Sequence, residues 1–312
     1  MKNIKKTIDD NWLRRFTSLT SISVALTLVA TKLAAYLVTD SVSMLSSLVD
    51  SSVDLVASCI TAYGVVIAMR PPDREHRYGH GKAEALAALM QGLFIVVSAF
   101  LLLAKAVERF INPFEIQNPK IGYEVMGVAI FLTAVLIALQ TYTIHRTSSL
   151  AIASDRLHYV GDVFVNSAVM ATFAFQEWLK VTWIDPAFAV VVAIILGAGS
   201  YKIIRRALRV LMDAELPDAE RQKILSIVCG IKGVCGAHDL RTREGNGHPI
   251  ISIHVEMDPS ISLLKSHDVV EAVIAAVTQA YPKADVTVHQ DPDGIKEARL
   301  DTQIENNSSS SS

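Results

Sequence analysis

Charge is scarce in this chain: Asp, Glu, Lys and Arg make up 19% of its 312 residues, where a soluble domain carries about a quarter. With 51% hydrophobic residues and a mean hydropathy of +0.36, that scarcity argues against a wholly soluble protein. An excess of either sign is missing too. The 29 basic and 31 acidic residues give a formal charge of −2, which indicates neither a nucleic-acid-binding surface nor an acidic disordered chain. Cysteine is nearly absent. Cys59, Cys229 and Cys235 are too few and too badly spaced for a disulfide framework or a paired zinc motif. No Walker phosphate loop, HExxH, GxSxG or glycine-rich dinucleotide loop occurs, so neither ATP-driven pumping nor hydrolysis has a supporting motif. The chain reads as a non-enzyme, and any work it does must draw on a gradient.

What the chain does have is long apolar runs, confined to the region before about Ile204. Stretches of about 20 residues suited to crossing a bilayer are Phe16–Val38, Ser41–Met69, Ala83–Val107, Gly122–Ile144, Ser149–Phe175 and Pro186–Ile204. The first is not a cleaved signal peptide, because Lys32 interrupts it and no small-residue cleavage motif follows. Six spans put both termini on one side. Lys and Arg concentrate on the cytoplasmic side of short loops, and here they lie before the first span (Lys2, Lys5, Lys6, Arg14, Arg15), after the second (Arg70, Arg74, Arg77, Lys82) and after the sixth (Lys202, Arg205, Arg206, Arg209). Arg146 and Arg156 flank the fourth connection, whereas the opposite side has little beyond Arg109, Lys120 and Lys180. Both termini are therefore expected in the cytoplasm.

Beyond Leu211 the hydrophobic period changes. Pro217 opens a helix to about Val228; Val234–Arg243 and Pro249–Met257 read as strands about a Glu-Gly-Asn-Gly turn; Ser262–Tyr281 is an amphipathic helix and Asp285–Gln290 a third strand. The expected fold class is an all-α six-helix transmembrane domain joined to a small cytoplasmic α+β domain of αββαβ order. The corresponding boundaries are an N-terminal cytoplasmic segment 1–15, a membrane domain 16–210, a cytoplasmic domain 211–292 and a polar tail 293–312, expected to be disordered.

Ionisable residues inside apolar spans need a compensating partner, since one near mid-bilayer costs about 2.5–3.5 kcal/mol on insertion scales. The second span carries Asp50 and Asp54, and the fifth carries His158 and Asp162. A four-residue spacing places each pair on one helix face. Three carboxylates and an imidazole across two helices match the ligand types and number of a tetrahedral site that suits zinc and tolerates related transition metals. In the loop after the second span, Asp73, His76 and His80 lie within reach of one ion, although histidines among arginines serve equally well facing solvent or phosphate. In the soluble region His238, His254, His267, His289 and Asp291 make a rich cluster, and strand alternation puts His254 and His289 on polar faces. Unrelated exposed histidines remain the alternative, because register cannot be read from one sequence.

The segments DSVSMLSSLVDSSVD, HRYGHGKAEALAAL, DRLHYVGDV, LMDAELPD, GAHDLRTR, IHVEM and VHQDP together resemble the cation diffusion facilitator family over residues 12–292. The resemblance implies homodimerisation, a metallochaperone-like cytoplasmic domain, and export of divalent metal from the cytoplasm in exchange for protons. It implies a transport site at Asp50, Asp54, His158 and Asp162, a second at Asp73, His76 and His80, and a binuclear cytoplasmic site at His238, His254, His267, His289 and Asp291. It also implies a charge interlock of the dimer between Lys82 and Asp213.

The expectation is thus a proton-coupled antiporter of a bacterial inner membrane, embedded in the lipid bilayer. Zn2+ is expected both as cargo and as structural ion, with Cd2+ or Fe2+ also possible, because a carboxylate-rich site discriminates weakly. The alternative is a membrane metal receptor that senses occupancy without net flux.

Overall fold

The computed structural model describes residues 2–39, 42–111, 119–179, 184–245, 248–295 and 298–309. The chain divides into two compact units, Met1–Leu208 and Arg209–Ser312.

The first unit holds six helices: α1 (Lys2–Thr39), α2 (Val42–Ala68), α3 (Lys82–Ile111), α4 (Pro119–Thr147), α5 (Leu150–Leu179) and α6 (Ile184–Leu211). Segments Asp9–Val38, Ser47–Ala68, Lys82–Glu108, Met126–Thr147 and Pro186–Leu211 are each long and apolar enough to cross a membrane. At 30 residues α5 is also long enough. Its Asp155, Arg156, His158 and Asp162 interrupt its apolar run. α1 starts well before the first apolar run, since nothing in Lys2–Thr39 is Pro or Gly to break it. Arg14 fastens that extension, pairing with Glu84 of α3 at 3.1 Å and donating to the Thr147 carbonyl of α4 at 2.8 Å.

Small residues let the helices approach. α5 packs against α1, α2, α3 and α4, and Leu196 of α6 presses on Gly161 of α5 while Leu157 of α5 presses on Gly199 of α6. Ile95 and Ala99 of α3 join Val192, Ala193 and Leu196 of α6 in one buried cluster. α5 therefore touches each of the other five helices of the unit.

The second unit runs α7 (Asp218–Cys229), β1 (Gly236–Glu244), β2 (Pro249–Met257), α8 (Leu263–Ala280), β3 (Asp285–Pro292) and α9 (Leu300–Ser309). The sheet order is β1-β2-β3, with β1 antiparallel and β3 parallel to β2. Alternation along β2 buries Ile251, Ile253, Val255 and Met257 against Val270, Val273 and Val277 of α8 and Ile224 and Val228 of α7. Ser262 caps α8 by accepting from the Lys265 N–H. The αββαβ order expected from sequence is the order found.

The tail corrects an expectation. Residues 300–309 are helical rather than disordered, because α9 finds its N-terminal cap on another element. The Asp239 carboxylate accepts from the Leu300 and Asp301 N–H groups at 2.9 and 3.0 Å, and the Asp239 N–H donates to the Asp301 carboxylate at 2.8 Å. Burial alone would raise the Asp239 pKa, but these N–H bonds hold it below the usual carboxylate range. This stabilisation is present at neutral pH and is lost as pH falls through that lowered value.

One close approach yields a test. A Cβ added at Gly64 of α2 would lie 2.4 Å from the Ala87 Cβ of α3 and 3.1 Å from the Ala83 carbonyl oxygen. Gly64→Val should separate α2 from α3 and cost about 1–3 kcal/mol, lowering the Tm of the purified protein in detergent. An unchanged Tm would contradict this contact.

Candidate metal centres

Three groups of potential ligands converge among the described residues. The first joins α2 to α5. His158 Nε2 lies 2.9 Å from Asp54 Oδ1 and 3.6 Å from Asp162 Oδ2, and the three side chains offer ligand atoms within 4.8 Å of one another. Asp50, one turn before Asp54, is exposed and stands outside this group. An imidazole nitrogen between two carboxylates concentrates lone pairs for which a divalent ion and protons compete.

A second layer not anticipated from the sequence supports this group. Asp155, buried, accepts from Gln140 Nε2 of α4 at 2.8 Å and from the Ser58 hydroxyl of α2 at 3.2 Å. The Tyr159 hydroxyl is 2.9 Å from the Ser58 hydroxyl, and the Gln140 amide also donates to Ser21 of α1 at 3.2 Å. Four helices thus meet on one polar network within a turn of His158. Its sequence signal was modest: Asp155 precedes His158 by three residues and Ser58 follows Asp54 by four, so both lie on the faces of the candidate ligands. Lys32 of α1 was also missed as a neighbour of the site, and it donates to Ser51 of α2.

The second group is in the loop between α2 and α3. The Asp73 carboxylate accepts from the N–H groups of His76 and Glu75 at 2.7 and 3.0 Å. The His76 N–H bond is the main cause that holds its pKa below the usual range. Asp73 lies 3.4 Å from His76 Nδ1 and 3.3 Å from His80 Nε2, and the two imidazole rings are 4.5 Å apart. His80 Nδ1 is buried without a hydrogen-bond partner, while His76 and Asp73 remain open to solvent.

The third group is built by strand register. Cross-strand pairing aligns His238 of β1, His254 of β2 and His289 of β3 in one row, so their side chains share a sheet face. Asp291 is their hub, 2.8 Å from His254 Nδ1, 3.2 Å from His289 Nε2 and 3.6 Å from His238 Nε2. His238 Nδ1 is buried without a hydrogen-bond partner and lies 3.5 Å from Glu256 Oε1, a carboxylate that the sequence reading omitted. Arg299, just before α9, pairs with Glu256. His267 is exposed on α8 and is not brought into the group. Orphaned imidazole nitrogen beside carboxylate oxygens is a donor set that fits a divalent transition metal. Of the expected interlock pair, Lys82 opens α3 and Asp213 lies 3.2 Å from Arg243 within its own unit.

Residues 18–212 match the family described as the cation efflux transmembrane domain, and residues 216–293 match the cation efflux protein cytoplasmic domain. The chain belongs to the cation efflux family. Among its relatives, the cation-efflux pump FieF of Shewanella oneidensis is 40% identical over 283 residues, spanning 91% of this chain and 95% of that protein. Protein p34 of Rickettsia rickettsii is 36% identical over 287 residues, spanning 92% and 95%. Among solved structures, the copper form of the MamM CTD is 23% identical and covers 26% of this chain and 90% of its own, with a TM-score of 0.24. Members of the cation efflux family are multi-pass membrane transporters, not enzymes, and this chain is one of them.

The polar network around Asp155 should matter to stability apart from transport. Asp155→Ala leaves the Gln140 amide with one acceptor fewer in a buried setting, and the expected loss is about 1–3 kcal/mol. Asp155→Asn should lose less. Thermal unfolding in detergent measures both, and an Ala variant as stable as the parent would show that the network contributes nothing.

Proposed function

We propose that this transporter exports divalent metal ions from the cytoplasm in exchange for protons. The observation that carries this reading is the convergence of Asp54, His158 and Asp162 between two helices of the membrane unit. Asp50, one turn away on α2, completes the ligand set when an ion draws it in. Cargo enters from the cytoplasm and displaces protons from His158 and the carboxylates. The helices then turn the site outward, and protonation there releases the ion. Zn2+ fits the mixed imidazole and carboxylate set, and Cd2+ and Fe2+ fit it less selectively. Lys and Arg bias in the loops supports cytoplasmic termini, and the protein spans a bacterial inner membrane with residues 16–210 in the bilayer and 211–292 outside it.

The other two groups have different roles. Asp73, His76 and His80 form a shallow cytoplasmic site beside the membrane domain. His238, His254, His289 and Asp291, with His267 drawn in from α8 only when an ion binds, would hold resident Zn2+ that stiffens the cytoplasmic domain and ties two copies into a homodimer, assisted by a Lys82–Asp213 charge interlock. Such ions supply structure rather than chemistry: neutral imidazoles and carboxylates bind them only when deprotonated, so chain folding and metal retention are linked. The name of the Shewanella relative, a cation-efflux pump, supports the direction of transport.

Two experiments test this reading. In proteoliposomes, Asp54→Ala or Asp162→Ala should abolish Zn2+-driven proton flux while leaving folded protein in the membrane. Parental flux in either variant sinks the transport-site assignment, and Zn2+ binding without accumulation by the parent identifies a sensor. Separately, His238→Ala combined with His289→Ala should lower the resident metal content and the dimer fraction, read by elemental analysis and light scattering. A double variant as dimeric and as metal-loaded as the parent overturns the structural role.

A further inference from the structure

Lys32 sits within the Asp9–Val38 span of α1, where an unpaired ammonium is disfavoured. Its Nζ donates to the Ser51 hydroxyl at 2.6 Å and to the Ser47 carbonyl at 3.3 Å. Both acceptors are on α2, and residues 47, 51, 54 and 58 follow one another along a single helix face. The ammonium is therefore anchored about one turn from Asp54 along α2. Neutral acceptors satisfy its N–H groups but leave its charge uncompensated. The compensating charge is the ligand cluster itself, since Asp54 follows Ser51 by three residues on the same face of α2 and reaches His158 of α5.

We infer that Lys32 is the fixed counter-charge of the α2/α5 site, tuning how tightly a divalent ion is held and how readily it leaves. This rests on reading that cluster as the transport site. The carboxylates of Asp50, Asp54 and Asp162, with Asp155 behind them, outnumber the two positive charges of a divalent ion, and Lys32 offsets one of the remainder. The ammonium thereby brings the ion-bound site closer to neutrality, the state best tolerated among apolar helices. Once the ion departs, the ammonium stays and draws the carboxylates toward itself. Its repulsion of an incoming cation weakens binding, and its attraction for the emptied carboxylates favours release. Lys32 is thus a positioning residue and need not coordinate the ion. A lysine suits the role because its compact ammonium reaches along a flexible stem to a hydroxyl dock.

Zn2+ uptake into proteoliposomes containing the full chain tests the inference. Lys32→Met should lower the Zn2+ concentration for half-maximal uptake by about tenfold or more and also lower the maximal rate, since an ion held more tightly leaves more slowly. Lys32→Arg, which retains the charge, should stay near the parent in both. If Lys32→Met does not reach the membrane folded, Lys32→Gln carries the same test. A neutral variant whose half-saturation is unchanged or higher overturns the inference, because a lysine that merely ties α1 to α2 would not tighten binding when removed. An arginine variant that behaves like methionine overturns it as well. Asp54→Ala separates the two readings: if it retains parental Zn2+ uptake, the transport-site reading fails and the role of Lys32 with it, whereas its loss alongside an unshifted Lys32→Met condemns only the latter.

Discussion

Holding several ionisable groups inside an apolar helix bundle is the constraint on which the rest of this structure depends. Each such group is costly alone in a bilayer, so the side chains must meet partners, and the helices that carry them must lie close enough for that. Asp54, His158 and Asp162 partner one another across α2 and α5. Behind them Asp155 is satisfied by Gln140 and Ser58, and Ser58 in turn by Tyr159. The helix packing follows from these pairings: glycines at 161 and 199 allow α5 and α6 to approach, while hydroxyls at Ser21, Ser58 and Thr17 face buried partners where aliphatic residues would offer none.

α5 is the element on which these demands converge. It carries the imidazole, one carboxylate of the cluster and the buried Asp155, and it touches the other five helices of the unit. Its polarity has a cost in membrane affinity that its neighbours offset by enclosing its polar face.

The soluble unit solves a different problem with the same residue types. There the histidines are arranged by hydrogen-bonded register rather than by helical spacing: antiparallel pairing of β1 and parallel pairing of β3 set His238, His254 and His289 abreast. The irregularity after His238 turns Asp239 away to cap α9, and Arg299 next to that helix reaches Glu256 at the edge of the histidine row. The last helix is thereby attached to the same end of the sheet that gathers the ligands.

The sequence alone determined the membrane segments, the αββαβ order and the four-residue pairs Asp50/Asp54 and His158/Asp162, because hydrophobic runs and helical periodicity are local properties read within one element. It determined in this way which residues share a face, but not which faces meet. Tertiary structure decided that Asp54 rather than Asp50 closes on His158, since the two differ only by one turn along the same face of α2. It decided equally that Asp155, Lys32 and Glu256 lie beside candidate ligand clusters and that His267 is exposed on α8. The helical tail was hidden for the same reason. Its polar composition reads as disorder, and only the fold supplies Asp239, some sixty positions earlier in the chain, to cap α9. Contacts between distant segments depend on helix crossing and strand register, and those are fixed by packing of the whole chain rather than by any spacing along it.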